Sequence, residues 1–232
     1  MKLRAKREEQ ADRITMGLAA LAAATAGTVV VGELAKLTRR RAREAAEDPA
    51  VAEPETVLET AEQAIVSTQL ATQDAVAVAL EGYAATPRAE TVLFNLLTGF
   101  TGALVGARIS THGMRGGWWP LGNIELGGHH IHHFVPGILL AFGSGAAALL
   151  TADEKLDEQL AIPFGVGAGL TLDEAALLLD LRDVYWTREG VLSVQVSLGA
   201  TALLAGTILA LRMLRRGEEK TQAAGMIPPP PV

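Results

Sequence analysis

Five stretches of this 232-residue chain are apolar over about the 20 residues that a helix needs to cross a hydrocarbon core roughly 30 Å thick. They are residues 14–37, 91–109, 134–151, 160–181 and 191–211. Four are cleanly apolar apart from charges in their end turns. The remaining one, 160–181, contains Asp173, Glu174 and Asp180, and is read as a span whose acids face the protein interior, because a carboxylate facing lipid is strongly disfavoured. The pattern predicts an all-α integral membrane helical bundle of about five transmembrane helices. The first is 1–37 with its basic leader, and the other four form a membrane core over 91–216. A multi-pass protein of the cell membrane follows, with membrane lipids as its surroundings.

The polar stretches complete the layout. Residues 38–90 form a hydrophilic insert punctuated by Pro49, Pro54 and Pro87. Its proline-free part, 55–83, is rich in Ala, Glu, Gln and Leu and should be helical. Val57, Leu58, Ala61 and Ile65 recur at helical spacing and suggest one apolar stripe. That stripe reads as a helix resting on the bundle or the membrane surface; the sharper alternative is self-association into a homo-oligomer. Residues 217–232 end in Pro228–Pro231 and are expected to be a disordered or extended tail. The leader 2–13 is basic, but the apolar run after it is long and Arg39, Arg40, Arg41 and Arg43 close it, so it is read as a retained span. Arg212, Arg215, Arg216 and Lys220 tilt the C-terminus towards the cytoplasm.

Composition sharpens the class. Hydrophobic residues make up 49% of the chain and the mean hydropathy is +0.25, above an average soluble domain. The formal net charge of −6 hides segregation, with bases beside apolar segments and acids in connections. The basic residues are neither interleaved with aromatics nor gathered in one block, which argues against nucleic acid as a partner. Cysteine is absent, which excludes disulfides and thiolate metal sites.

The candidate chemistry sits in His129, His130, His132 and His133, four of the chain's five histidines. Histidine is the commonest metal ligand among side chains. If 129–133 is helical, His129, His132 and His133 share one direction and Ile131 points the other way. In a strand, His129 and His133 share a face opposed by His130 and His132. Pro136 favours a short turn or half-helix feeding the third span. With five spans, the connections before the third and after the fourth lie on one side of the membrane, so Asp173 and Glu174, and more weakly His112, Glu125, Asp180 and Asp183, join the candidate ligands. Imidazole with carboxylate suits a divalent transition metal such as Fe or Zn. Asp173 and Glu174 are also the candidate catalytic residues, as a general base in oxidation or hydrolysis of a lipid-like substrate. The alternatives are a cation or proton pathway, a pH sensor, and a polar network that only fixes the bundle. Arg108 reads as a snorkelling cation or as the neutralising partner of an acid in the fourth span. The glycines at 165–169 and 102–106 have the spacing of close helix contact.

His-His-Ile-His-His-Phe-Val-Pro-Gly-Ile, Phe-Gly-Val-Gly-Ala-Gly-Leu-Thr-Leu-Asp-Glu and Asp-Val-Tyr-Trp together resemble segments of uncharacterised multi-pass membrane proteins of bacteria, over about residues 106–194. The resemblance implies a multi-pass membrane fold and carries no activity. The His-His-Ile-His-His box is also similar to the histidine boxes of membrane di-iron hydroxylases and desaturases. Those families spread their ligands over several boxes, so here carboxylates would have to complete the shell.

Overall fold

Helices account for nearly all the regular structure in the computed structural model, which describes residues 2–47, 56–120, 125–126, 129–130, 132–173 and 188–228. In chain order these are α1 (Lys2–Glu47), α2 (Val57–Ala84), α3 (Arg88–Gly116), α4 (Phe134–Leu150), α5 (Glu154–Asp173) and α6 (Arg188–Ala223). The all-α expectation holds. The only strands among the described residues are β1 (Glu125–Leu126) and β2 (His129–His130), an antiparallel pair of two residues each. Segments Arg88–Ser110 and Leu198–Ala223 are long and apolar enough to cross a membrane, and α4 is a shorter apolar helix of 17 residues. Backbone contacts divide the chain into two compact units, 1–24 with 88–206 and 25–87 with 207–232.

In the first unit, α5 packs on both α3 and α4. The reason is a glycine pattern. Gly165 and Gly169, four residues apart, lie against the α3 backbone at Leu96 and Phe100, while Gly167 lies against Gly137 and Ala141 of α4. A β-carbon at Gly169 would stand 2.7 Å from the Phe100 carbonyl oxygen, and one at Gly137 would stand 2.9 Å from Thr171 Oγ1. Only hydrogen fits there, so three backbones approach closely, as the spacing at 165–169 anticipated. Gly102 and Gly106 have open space instead and do not form the second contact expected of them. Sequence order in these contacts makes α3 and α5 parallel and α4 antiparallel to α5. Arg88 pairs with Asp157 near the starts of α3 and α5, and the Asn95 amide donates to the Glu158 carbonyl at 2.9 Å. Phe100, Leu104 and Ala202 form the apolar core of this unit.

Local chemistry sets the ends of the elements. Pro136 occupies the first turn of α4, where a backbone N–H has no helical partner to lose. Asp153 caps α5, accepting from the backbone N–H groups of Lys155 at 2.9 Å and Leu156 at 3.3 Å. This cap starts α5 six residues before the expected span at 160, and the expected continuation over 174–181 lies outside the described residues.

The second unit joins α2 to the later part of α1 and the end of α6. Thr56 and Glu59 form a capping box: the Glu59 N–H donates to Thr56 Oγ1 at 3.1 Å and the Thr56 N–H donates to the Glu59 carboxylate at 3.3 Å. The insert is therefore helical as expected, but its buried face differs from the expected one. Ser67, Ala71, Asp74, Val78 and Gly82 point inwards, whereas Val57, Leu58 and Ile65 are largely exposed. Small size and charge pairing, not hydrophobicity, select that face. Gly82 meets the Met213 backbone and Gly217 meets the backbones of Val78 and Gly82, while Asp74 is gripped by Arg41. The expected disordered tail is also corrected as far as it is described. α6 continues to Ala223, Thr221 is fully buried, and Ile227 packs into a core with Leu37, Ala71 and Val78.

Candidate functional site

The stripe Ala161, Gly165, Gly169 on α5 continues, one further step of four, to Asp173, and all four residues are buried. The glycines hold this stripe against α3, so Asp173 arrives beside Arg108. The Arg108 Nε–H donates to Asp173 Oδ1 at 2.7 Å. The other carboxylate oxygen, Oδ2, lies 3.2 Å from His133 Nε2. His133 is the N-cap residue of α4, and its carbonyl accepts from the Gly137 N–H at 3.0 Å. Three elements thus converge on one carboxylate.

Burial grades the triad. The Asp173 side chain is 5% exposed, His133 31% and Arg108 42%. The carboxylate is enclosed while both partners reach towards the surface. The amide end of α4 also faces this region and favours negative charge there. Of the two sequence readings of Arg108, neutralisation of an acid is the one realised. Asp173 stands level with the first turn of α4 and not deep within a helix pair, because α4 and α5 are antiparallel and His133 begins α4.

The histidine cluster is split. His129 and His130 lie in β2, where Leu126 and Glu125 are their respective Cα partners. A continuous helix over 129–133 is thereby ruled out; a strand followed by a turn leads into α4. The His132 ring stacks loosely on Phe134, with centroids 6.3 Å apart. The side chains of His112, Glu125, His129 and His130 lie outside the described residues, as do Glu174, Asp180 and Asp183 altogether. Among the described residues, no group of three or more His, Cys, Asp or Glu side chains is gathered as a metal would require. The described donors amount to one imidazole and one carboxylate, and a guanidinium already occupies that carboxylate.

Sequence reasoning missed two polar features. Asp74 is buried in a helix read as solvated, although its place in the stripe 67, 71, 74, 78 was a usable signal. The Thr101 hydroxyl oxygen is buried without a hydrogen-bond partner, which no sequence pattern announces. No protein-family model, curated protein or solved structure matches the chain.

Proposed function

We propose that the chain is a five-span membrane protein that senses pH at one membrane face through His133, Asp173 and Arg108. One observation carries this reading: an imidazole lies 3.2 Å from a buried carboxylate that a guanidinium already holds. Histidine is the side chain whose charge ordinarily changes between about pH 5 and 8, whereas arginine stays charged. Protonation of His133 would take the triad from neutral to a single positive charge and convert a neutral contact into an ion pair. Because the three residues come from α3, α4 and α5, that change would act on how three helices are tied together.

The test uses Trp118 and Trp119, whose rings meet edge-to-face 5.8 Å apart just beyond α3. Tryptophan emission of the chain in lipid nanodiscs should show a transition between about pH 5 and 8. The transition should vanish in His133→Gln and persist in His132→Gln. An unchanged transition in His133→Gln, or none in the wild type, would sink the reading. The five spans have their own check in an otherwise cysteine-free chain: cysteines introduced in 117–133 and in 180–189 should label from the same side of the membrane.

A metal site is the second reading, and the register pairing of Glu125 with His130 favours it. His133 and Asp173 would be two ligands, with His129, His130 or His132 from the adjoining hairpin and turn. Elemental analysis of protein purified without chelator decides it, and bound iron or zinc that is lost in both His133→Ala and His130→Ala would establish it.

A further inference from the structure

The first unit contains a cavity of about 360 Å³ whose wall includes Arg108 and Asp173. From these features we infer that it binds one single-chain lipid with a neutral hydroxyl head. The inference goes beyond pH sensing and applies where the triad carries no net charge.

Two helical stripes shape the cavity. Thr101, Leu104, Val105 and Arg108 follow one face of α3, and Val196, Gly199, Ala200 and Leu203 follow one face of α6 with the same spacing of three, four and seven. Gly199 and Ala200 on α6, with Ala22 and Ala23 on α1, leave the space that larger side chains would fill. The volume falls at the small end of ligand cavities, about 300–1,000 Å³, which suits one hydrocarbon chain. Away from Arg108 and Asp173, the wall is almost wholly apolar.

Charge selects the head group. Arg108 and Asp173 already pair at 2.7 Å, so a carboxylate or ammonium head would have to break that ion pair to gain a counter-charge, which is costly. A hydroxyl avoids that cost. A carboxylate offers about four lone-pair positions, so Asp173 can accept a ligand O–H while keeping Arg108 and His133. The second polar group is Thr101, whose oxygen is buried without a partner. It lies seven residues before Arg108 on the same face, about 10 Å along the helix. A helical threonine populates two χ1 wells, so rotation can turn this hydroxyl to the cavity and serve a second oxygen on a glycerol or ester group. A monoacylglycerol has this combination of one chain, free hydroxyls and an ester.

Native mass spectrometry of the detergent-purified full chain at pH 8, titrated with monoolein, tests the inference. One monoolein should bind per chain and saturate, with oleic acid and oleylamine each binding roughly tenfold more weakly. Gly199→Leu and Ala23→Leu, which fill the cavity from two different helices, should each weaken monoolein by roughly tenfold or more. Ala23 is exposed, so its variant keeps the test usable should Gly199→Leu fail to fold. Binding that never saturates, or equal binding by a folded cavity-filled variant, would overturn the site. Tighter binding of oleic acid or oleylamine than of monoolein would overturn the assignment of the head group.

Discussion

Two buried aspartates, one in each unit, are held in contrasting ways. Asp74 accepts from Arg41 through both oxygens, Nε to Oδ2 and a terminal nitrogen to Oδ1, each at 2.7 Å. Asp173 accepts from Arg108 through one oxygen and shares the other with an imidazole. The fork-to-fork pair in the second unit is closed: Arg41 is itself largely buried, and its pKa is pushed above the ordinary arginine value by the Asp74 hydrogen bond, against an opposing effect of burial. The pair in the first unit includes a group that can change charge and a guanidinium that reaches the surface. The same residue types therefore serve as a fixed rivet in one place and as a candidate switch in the other. Burial of a carboxylate alone does not distinguish the two; the chemistry of its second partner does.

The sharpest way to break this comparison is to remove each carboxylate. Asp74→Ala leaves a mostly buried arginine with Glu44 at 2.8 Å as its remaining carboxylate partner and should destabilise the second unit by about 3 kcal/mol, the low end for breaking a buried pair, read by denaturation in detergent. Asp173→Ala should cost less, about 1–3 kcal/mol, because the Arg108 side chain is already 42% exposed. Equal losses would mean that both pairs are structural rivets. Arg41, with its pKa raised, is charged in both folded and unfolded chains below the ordinary arginine value. Its contribution should be constant across neutral pH and fade only as pH rises into strong alkali.

A smaller perturbation acts on the support of Asp173. Gly165→Ala drives a methyl group into the α3 backbone at Leu96 and should cost about 1–3 kcal/mol. Gly102→Ala, which meets open space, should be neutral or stabilising by up to about 1 kcal/mol. Thermal unfolding of the two variants separates packing glycines from incidental ones. The smallest stability effect belongs to His133→Gln, about 1 kcal/mol or less at pH 8. Its signature is a smaller difference in stability between about pH 5 and 8 than the wild type shows, since four other histidines remain.

The helices were legible because long apolar or alanine-rich runs are local properties, and Pro136 marked the start of α4 within one turn. The caps at Thr56 with Glu59 and at Asp153 are equally local but were not read, which is why the start of α5 was placed six residues late. The inward face of α2 was not legible. Apolar spacing pointed to Val57, Leu58 and Ile65, whereas the buried face is made of small residues and a charge that matter only once Arg41 and Gly217 are brought alongside. The tail was misread for the same reason: proline content describes the last residues, but burial of Thr221 and Ile227 depends on partners far away in sequence. At the candidate site, Asp173 was readable as an acid within an apolar run and His133 from its place in the histidine cluster, whereas snorkelling competed with neutralisation for Arg108 until the contact at 2.7 Å decided it. The split of the histidine cluster was not, because the strand at 129–130 depends on pairing with 125–126.

The composition of α5 has a further consequence. Within its 20 residues it has three glycines and an internal proline, Pro163, which together cost on the order of 6 kcal/mol of helix propensity relative to alanine. In water, such a segment alone is a poor helix. What compensates is the close backbone contact that its glycines permit with α3 and α4 on opposite faces. The element that carries Asp173 is therefore held in place by its neighbours more than by its own propensity.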